Sequence, residues 1–89
     1  MQKPHASLNP RMLGQAFRAE RRARGLTQQR VAETAGCRRQ TIVDLEAGRN
    51  VALYSMFAVL AALGKGIAIT DSRPDVDHIH LLLDPADER

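Results

Sequence analysis

Cysteine and long apolar runs are both scarce in this chain of 89 residues. Cys37 is the single cysteine, so the chain can form neither an internal disulfide nor a cysteine-based metal cluster, and its composition suits a reducing compartment. No apolar run approaches the roughly 18 residues that a membrane span needs. The first residues, which include Pro4, His5 and Asn9, lack the apolar core of a secretion signal. We therefore expect a soluble cytoplasmic protein.

The chain is also short, which limits the size of its apolar core. With 89 residues it is expected to form one domain, near the lower size at which a single apolar core is sufficient. Dimerisation would bury additional apolar surface, so we expect a second copy of the chain to contribute to stability.

Positive charge is concentrated in the first half of the chain. Residues 1–50 contain ten Lys or Arg and four Asp or Glu, a net charge of +6, whereas residues 51–89 contain three and six, a net charge of −3. The two halves are therefore expected to contact different partners. A basic half with arginines on helices is typical of a DNA-binding surface, because neutralising phosphates supplies much of the affinity for DNA. Ordinary solvated surface charge is the alternative interpretation.

Residues 27–48, with the sequence TQQRVAETAGCRRQTIVDLEAG, predict two short helices joined by a tight turn. Thr27 is a suitable N-cap for a helix that begins at Gln28, and Gly36 tolerates the left-handed conformation that ends helices. The inner faces follow from helical spacing and comprise Val31, Ala32, Ala35, Ile42 and Leu45. The second helix opens with polar side chains that can meet phosphates and base edges. This arrangement is typical of a helix-turn-helix DNA reader.

Five short motifs carry a resemblance to a known family: Gly25-Leu26-Thr27-Gln28, Val31-Ala32, Gly36-Cys37, Thr41-Ile42 and Leu45-Glu46-Ala47-Gly48. Together they resemble the Xre/Cro type of helix-turn-helix regulator, and the resemblance extends from Leu13 to Leu63. Beyond it, a helix ending in the letters LAALG, an apolar segment and an acidic tail resemble the HipB-type antitoxins. This resemblance implies a dimer that represses its own operon and binds a HipA-type kinase toxin.

The implied fold class is all-α, a lambda-repressor-like four-helix domain with a short C-terminal β-strand that pairs across a dimer. We assign residues 1–8 to a flexible tail, 9–64 to the helix-turn-helix domain, and 65–89 to a C-terminal strand and acidic tail for dimerisation or partner binding. The first helix is predicted from Pro10 to Arg24, because asparagine precedes it as an N-cap and proline is favoured at the first helical position. The last helix is predicted to face the core with an apolar stripe of Leu53, Met56, Phe57, Leu60 and Leu63. The alternative is that Met56, Phe57 and Leu60 share this face with a second subunit.

Eight residues are predicted to contact DNA: Gln28, Arg38, Arg39, Gln40, Thr41, Val43, Asp44 and Arg49. Arg39 and Gln40 align with the base readers of the family, and such side chains can bond guanine and adenine respectively. Gln28 aligns with a glutamine that bonds a phosphate and braces Arg39 or Gln40. Asp44 stands where many relatives carry a neutral polar residue. We expect it to accept a hydrogen bond from a cytosine amino group, or to pair with Arg38 or Arg39.

Two further contacts are implied by the resemblance. Arg21 on the first helix aligns with an arginine that pairs with a glutamate late in the recognition helix, here Glu46, so we predict a structural ion pair between them. The alternative is that both side chains are solvated. Arg49, in the loop after the recognition helix, is expected to bind a phosphate.

The segment after the last helix is too short and too β-branched for another helix, so we predict a strand. The predicted dimerisation residues are Ile67, Ala68, Ile69 and Thr70, because pairing with the same strand of a second copy would satisfy the backbone groups. A two-fold dimer would set its recognition helices roughly 34–36 Å apart and favour a palindromic operator. Residues 76–83 are either a second strand or a docking segment. His78 and His80 lack a third convergent ligand, so no metal site is predicted.

Three functions remain open. The favoured one is a repressor that acts as an antitoxin, binding double-stranded DNA as a homodimer at the nucleoid, with a HipA-like kinase toxin as its partner. The second is a free-standing repressor without a toxin, and the third is a protein-binding module that uses the helix-turn-helix as a scaffold. An enzyme is not predicted, because no nucleophile, base and orienting group converge by motif. No cofactor is predicted either, and Cys37 is interpreted as a small core residue at the turn.

Overall fold

A computed structural model describes residues 6–72, which form four α-helices. Helix α1 spans Pro10–Ala23, α2 spans Gln28–Ala35, α3 spans Arg39–Glu46 and α4 spans Leu53–Ala62. Helix α3 packs against α1 and α2, and α4 packs against α2. The predicted all-α, four-helix fold is therefore confirmed.

Side-chain caps fix the starts of α1 and α2, as the sequence predicts. Asn9 Oδ1 accepts the backbone N–H of Met12 at 2.8 Å, and Pro10 occupies the first helical position. Thr27 Oγ1 accepts the backbone N–H of Arg30 at 3.0 Å. Each cap satisfies a backbone donor that has no partner inside its helix.

A glycine makes the turn between α2 and α3. Gly36 has a φ of 73°, and the N–H of Cys37 donates to the carbonyl oxygen of Ala32 at 3.0 Å. Glycine adopts this left-handed conformation without the steric cost that a Cβ would bring. After the turn, Ile42 and Leu45 are buried on the inner face of α3. Because that face is fixed against the core, the opposite face of α3 is held toward solvent.

The apolar core is small and draws on all four helices. Its buried members are Phe17, Val31, Ala32, Ile42, Leu45, Val59, Leu60 and Leu63. The predicted core stripe of α4 is partly wrong, because Val59 is only 1% exposed whereas Leu53 and Phe57 are 65% and 50% exposed. Almost every residue of α4 is apolar, so hydrophobic periodicity does not indicate which of its faces meets the core.

Helix α1 crosses α3 at very short range. A methyl group added at Gly14 would collide with the carbonyl oxygen of Leu45 and lie 2.7 Å from that of Glu46. Glycine permits this approach because it has no Cβ. The contact fixes the position of the end of α3, which carries Glu46.

The predicted dimerisation segment follows α4, and it forms no strand within residues 6–72 of the single chain. Ile69 is fully exposed, and Ile67 is 46% exposed. A strand needs a pairing partner, so pairing with a second copy stays a prediction. Residues 76–83, predicted as a strand or a docking segment, lie outside the described residues, as do His78 and His80.

Candidate nucleic-acid interface

The N-terminal end of α3 presents three exposed polar side chains, Arg38, Arg39 and Gln40. Arg38 is the N-cap residue, and its guanidinium makes no cap bond because it can only donate. Thr41 and Val43 are half-buried on the same helix. Helix α3 therefore offers solvent a short basic end that is rich in hydrogen-bond donors, the chemistry needed to read a major groove.

Gln28 connects this end of α3 to the protein interior. Its Nε2 donates to Glu46 Oε1 at 3.2 Å, and its Oε1 accepts from Arg39 Nη2 at 3.2 Å. A carboxylate can only accept and a guanidinium can only donate, so both neighbours require the same orientation of the Gln28 amide. Glu46 also accepts from Arg21 Nε at 2.6 Å and from Arg21 Nη2 at 3.0 Å. Hydrogen bonds therefore run unbroken from α1 to a predicted base reader.

The Arg21–Glu46 ion pair expected from the sequence is present and largely buried. The two side chains are 11% and 6% exposed. Arg21 Nη1 also donates to the carbonyl oxygen of Leu26 at 2.9 Å, so the guanidinium is held on two sides. The hydrogen bond to Glu46 raises the pKa of Arg21, and burial opposes that shift. Each charge compensates the other, so removal of one would leave its partner buried and unpaired.

Within the protein, Asp44 bonds residues other than the expected Arg38 or Arg39, and the alternative bond to a cytosine amino group stays a prediction. Its Oδ1 accepts from Gln40 Nε2 at 3.0 Å and from Arg49 Nε at 3.0 Å. The expected pairing with Arg38 or Arg39 is not formed, because Gln40 stands four residues before Asp44 on the helix and the chain returns Arg49 to it after α3. The hydrogen bond from Gln40, followed by that from Arg49, lowers the pKa of Asp44.

The loop after α3 lies beside the same surface. Gly48 has a φ of 80°, and a methyl group added there would be 2.9 Å from Arg11 Cα on α1. The backbone N–H of Arg49 donates to the carbonyl oxygen of Asp44 at 2.8 Å. The Arg49 side chain is 61% exposed, so it remains accessible to a phosphate.

Both hydrogen bonds to Asp44 are absent from the sequence prediction. The spacing of Gln40 and Asp44 contains the signal for one of them, because residues four apart are neighbours on a helix surface. The bond from Arg49 depends on the path of the loop after α3. Sequence spacing provides no comparable signal for that path.

Cys37 packs against the core at the start of α3 and is half-buried. Burial raises the pKa of its thiol. No three His, Cys, Asp or Glu side chains are grouped to hold a metal ion in the part of the chain that the structure describes. Among residues 6–72, no helix combines the length and the apolar character needed to cross a membrane.

Comparison with known proteins agrees with this geometry. Residues 12–73 match the family described as helix-turn-helix domain. A complex of a HipB serine-to-alanine variant with an O2 20mer is similar, with a TM-score of 0.74 and 25% identity over 80% of this chain and 100% of that chain. A HipA-HipB-O2-O3 complex gives a TM-score of 0.67 and 27% identity over 82% of this chain and 100% of that chain. No curated protein sequence matches the chain. The family match and the four-helix structure show that the chain belongs to the helix-turn-helix domain family, within which it is similar to HipB.

Proposed function

We propose that this protein is a sequence-specific DNA-binding transcriptional repressor, which binds palindromic operators as a dimer and serves as the antitoxin of a HipA/HipB-like toxin-antitoxin operon. The observation that carries the proposal is the hydrogen-bond network from Arg21 through Glu46 and Gln28 to Arg39. This network orients an exposed arginine at the start of α3. A helix that served only as a scaffold would not require an exposed arginine in a fixed orientation.

The roles of the surface residues follow from their chemistry. Arg39 uses one Nη2 bond for Gln28, and its remaining donors can bond guanine O6 and N7. Gln40 lies next to it and meets the adjacent base. Arg38 and Arg49 neutralise phosphates at the two ends of α3, supported by the net charge of +6 on residues 1–50.

Similarity to HipB supports the antitoxin role. The structures that resemble this chain include HipB complexes with an O2 20mer and with HipA. In both structures the likeness covers 100% of the matched chain. We therefore assign a HipA-like kinase to this chain as its protein partner.

Exposed apolar side chains support the dimer. Leu53, Tyr54 and Phe57 on α4 are 65%, 91% and 50% exposed, and Ile67 and Ile69 are exposed beyond it. Apolar groups clustered on the surface of a small domain mark an interaction surface. In a two-fold dimer the two α3 helices would enter successive major grooves roughly 34–36 Å apart.

A binding selection from random duplex DNA at near-physiological salt, with sedimentation on the same sample, tests the proposal. We expect a dimer and an enriched palindrome with half-sites one helical turn apart. Arg39→Ala and Gln40→Ala should each relax the preference at particular base pairs. Arg49→Ala should weaken binding to every sequence and reduce the salt slope by about one.

Lys65→Ala is the charge-matched control. Lys65 Nζ lies 3.5 Å from Glu20 Oε2, so this variant removes one positive charge that contacts α1 rather than α3. Its enriched site should equal that of the parent. A folded dimer that enriches no site would support the protein-binding module instead. Co-purification with a kinase-like protein encoded beside it would separate an antitoxin from a free-standing repressor.

A further inference from the structure

Gln40 and Asp44 form a hydrogen-bonded pair on the outer surface of α3. Gln40 Nε2 lies 3.0 Å from Asp44 Oδ1, and Gln40 is exposed at the end of the helix that also carries Arg39. Residues four apart are neighbours on a helix, so this bond requires no distortion of α3. A predicted base reader is therefore already bonded within the protein before it meets DNA.

The carboxylate determines which end of the Gln40 amide faces outward. An ionised aspartate only accepts hydrogen bonds, whereas a glutamine amide has an accepting oxygen and a donating nitrogen. Asp44 therefore holds Nε2 and leaves Oε1 for a partner. Hydrogen bonds from Gln40 and Arg49 lower the pKa of Asp44, so the carboxylate is ionised at neutral pH.

Arg49 holds Asp44 from the loop side. Arg49 Nε donates to the same Oδ1 at 3.0 Å, and the Arg49 backbone N–H donates to the carbonyl oxygen of Asp44 at 2.8 Å. The Asp44 side chain is 29% exposed, so most of its surface is covered. The carboxylate is thus fixed between the side chain of Gln40 and the loop after α3.

We propose that Asp44 is a specificity-determining residue, which presents Gln40 to DNA as a hydrogen-bond acceptor and directs it to a base with an amino group in the major groove. Adenine N6 and cytosine N4 are the two such groups. Guanine and thymine offer the acceptors O6 and O4 at the corresponding places. A transition at the contacted base replaces its amino group, a donor, by a carbonyl oxygen, an acceptor. We expect Gln40 to discriminate against this base change. This role rests on the proposed function, because it requires α3 in the major groove.

The first experiment uses the operator enriched by the parent chain and the base-pair position that Gln40→Ala relaxes. At that position the parent should discriminate against the transition by about tenfold. Asp44→Ala should lose most of this discrimination, because Gln40 Nε2 then has no acceptor at position 44 and the Gln40 amide can turn over. Glu33→Ala is the matched control, since it removes a carboxylate that accepts from Gln29 on α2 and keeps the bond between Gln40 and Asp44. Its discrimination at that position should equal that of the parent.

Base analogues test whether Gln40 accepts a hydrogen bond from an amino group of the base. In the best site, 2-aminopurine replaces the adenine, or 2-pyrimidinone replaces the cytosine, so that the major-groove amino group is removed. The parent should bind the analogue duplex about tenfold more weakly, and the Gln40→Ala chain should bind both duplexes equally.

Three results would overturn the proposed role of Asp44. Equal binding of the parent to both duplexes would do so, as would discrimination that survives in Asp44→Ala or a Gln40→Ala chain that relaxes no position. These results leave an enriched operator in place, so the proposed function would stand. A parent chain that enriches no operator would overturn both proposals together.

Discussion

Arg21 on α1 and Glu46 at the end of α3 are joined by two hydrogen bonds, of 2.6 and 3.0 Å, with side chains only 11% and 6% exposed. Glu46 accepts a third hydrogen bond, from Gln28, at 3.2 Å. The pair is therefore buried in the interior and is also connected, through Gln28, to Arg39 on the predicted DNA-binding surface. Its loss should affect stability and DNA binding together.

Arg21→Met should lower the free energy of unfolding by about 3–5 kcal/mol, because Glu46 is left buried without its counter-charge. Denaturant unfolding at neutral pH measures the loss. Glu20→Gln is the control, since it breaks only the partly exposed pairs with Arg24 and Lys65, at 3.6 and 3.5 Å, and should cost below about 1 kcal/mol. If Arg21→Met and Glu46→Leu combined are no less destabilising than Arg21→Met alone, the stranded charge is not the cause.

Gln28→Ala should weaken binding to the enriched operator by about tenfold and lower the free energy of unfolding by about 1 kcal/mol. Its amide bonds Glu46 and Arg39, so the substitution frees the Arg39 guanidinium to adopt other rotamers. Titration of labelled duplex measures the affinity. Gln29→Ala is the control, because Gln29 Nε2 bonds the exposed Glu33 at 3.2 Å. Equal losses for the two variants would contradict an orienting role for Gln28.

Gly14→Ala should destabilise the fold by about 1–3 kcal/mol, because the added methyl meets backbone atoms of Leu45 and Glu46 that cannot move aside. Alanine has the better helix propensity, by about 1 kcal/mol, so the steric cost must exceed this gain. Thermal or denaturant unfolding measures the change. Gly66→Ala is the control, since nothing lies within 4 Å of its added methyl, and it should change stability by less than about 0.5 kcal/mol. A stabilised Gly14→Ala chain would show that α1 and α3 can separate easily.

Cys37 should react with iodoacetamide along a pH profile whose midpoint lies above that of the unfolded chain. Burial raises the pKa of the thiol, and the thiolate is the reactive form. Because the folded pKa exceeds the unfolded one, this group favours folding at neutral pH, and its contribution declines as pH rises through the two pKa values. Alkylation rates from neutral to alkaline pH, with and without denaturant, measure both midpoints. Coincident midpoints would show that the fold leaves the thiol solvated.

Ile69→Pro should convert the dimer into a folded monomer if the segment after α4 pairs between two copies. Proline removes a backbone donor from a strand ladder, and Ile69 is fully exposed in the single chain, so the protomer itself should stay intact. Sedimentation measures the association, and circular dichroism the fold. Ser72→Pro, beyond the segment, is the control. A dimer that survives Ile69→Pro but dissociates with Tyr54→Lys would place the main contact on α4.

Helix ends and turns were predictable because they depend on neighbours in the chain. Asn9 and Thr27 accept N–H groups three residues ahead, and Gly36 supplies the left-handed turn. The buried face of α4 depends instead on tertiary packing. Its composition is apolar on several sides, and Val59 rather than Phe57 meets the core.

The candidate site divides in the same way. Arg21 and Glu46 are 25 residues apart in sequence, and the resemblance to a family predicts their pairing, whereas spacing does not. The bond from Arg49 to Asp44 has no signal in the sequence, because it depends on the loop conformation after α3, whereas the four-residue spacing of Gln40 and Asp44 does indicate theirs. Contacts that require a particular loop path leave little trace in a single sequence.

The chain of hydrogen bonds that ends at Arg39 also limits how this surface can be engineered. A peptide with only α2 and α3 would carry Gln28, Arg39 and Glu46, but it would lack Arg21 and the close support of Gly14 on α1. Glu46 would then be hydrated, and the side chains of Gln28 and Arg39 would be free to rotate. Grafting α3 into another scaffold should transfer its specificity only where the recipient's first helix supplies an equivalent arginine and glycine. Transfer of the specificity therefore requires α1, α2 and α3 together.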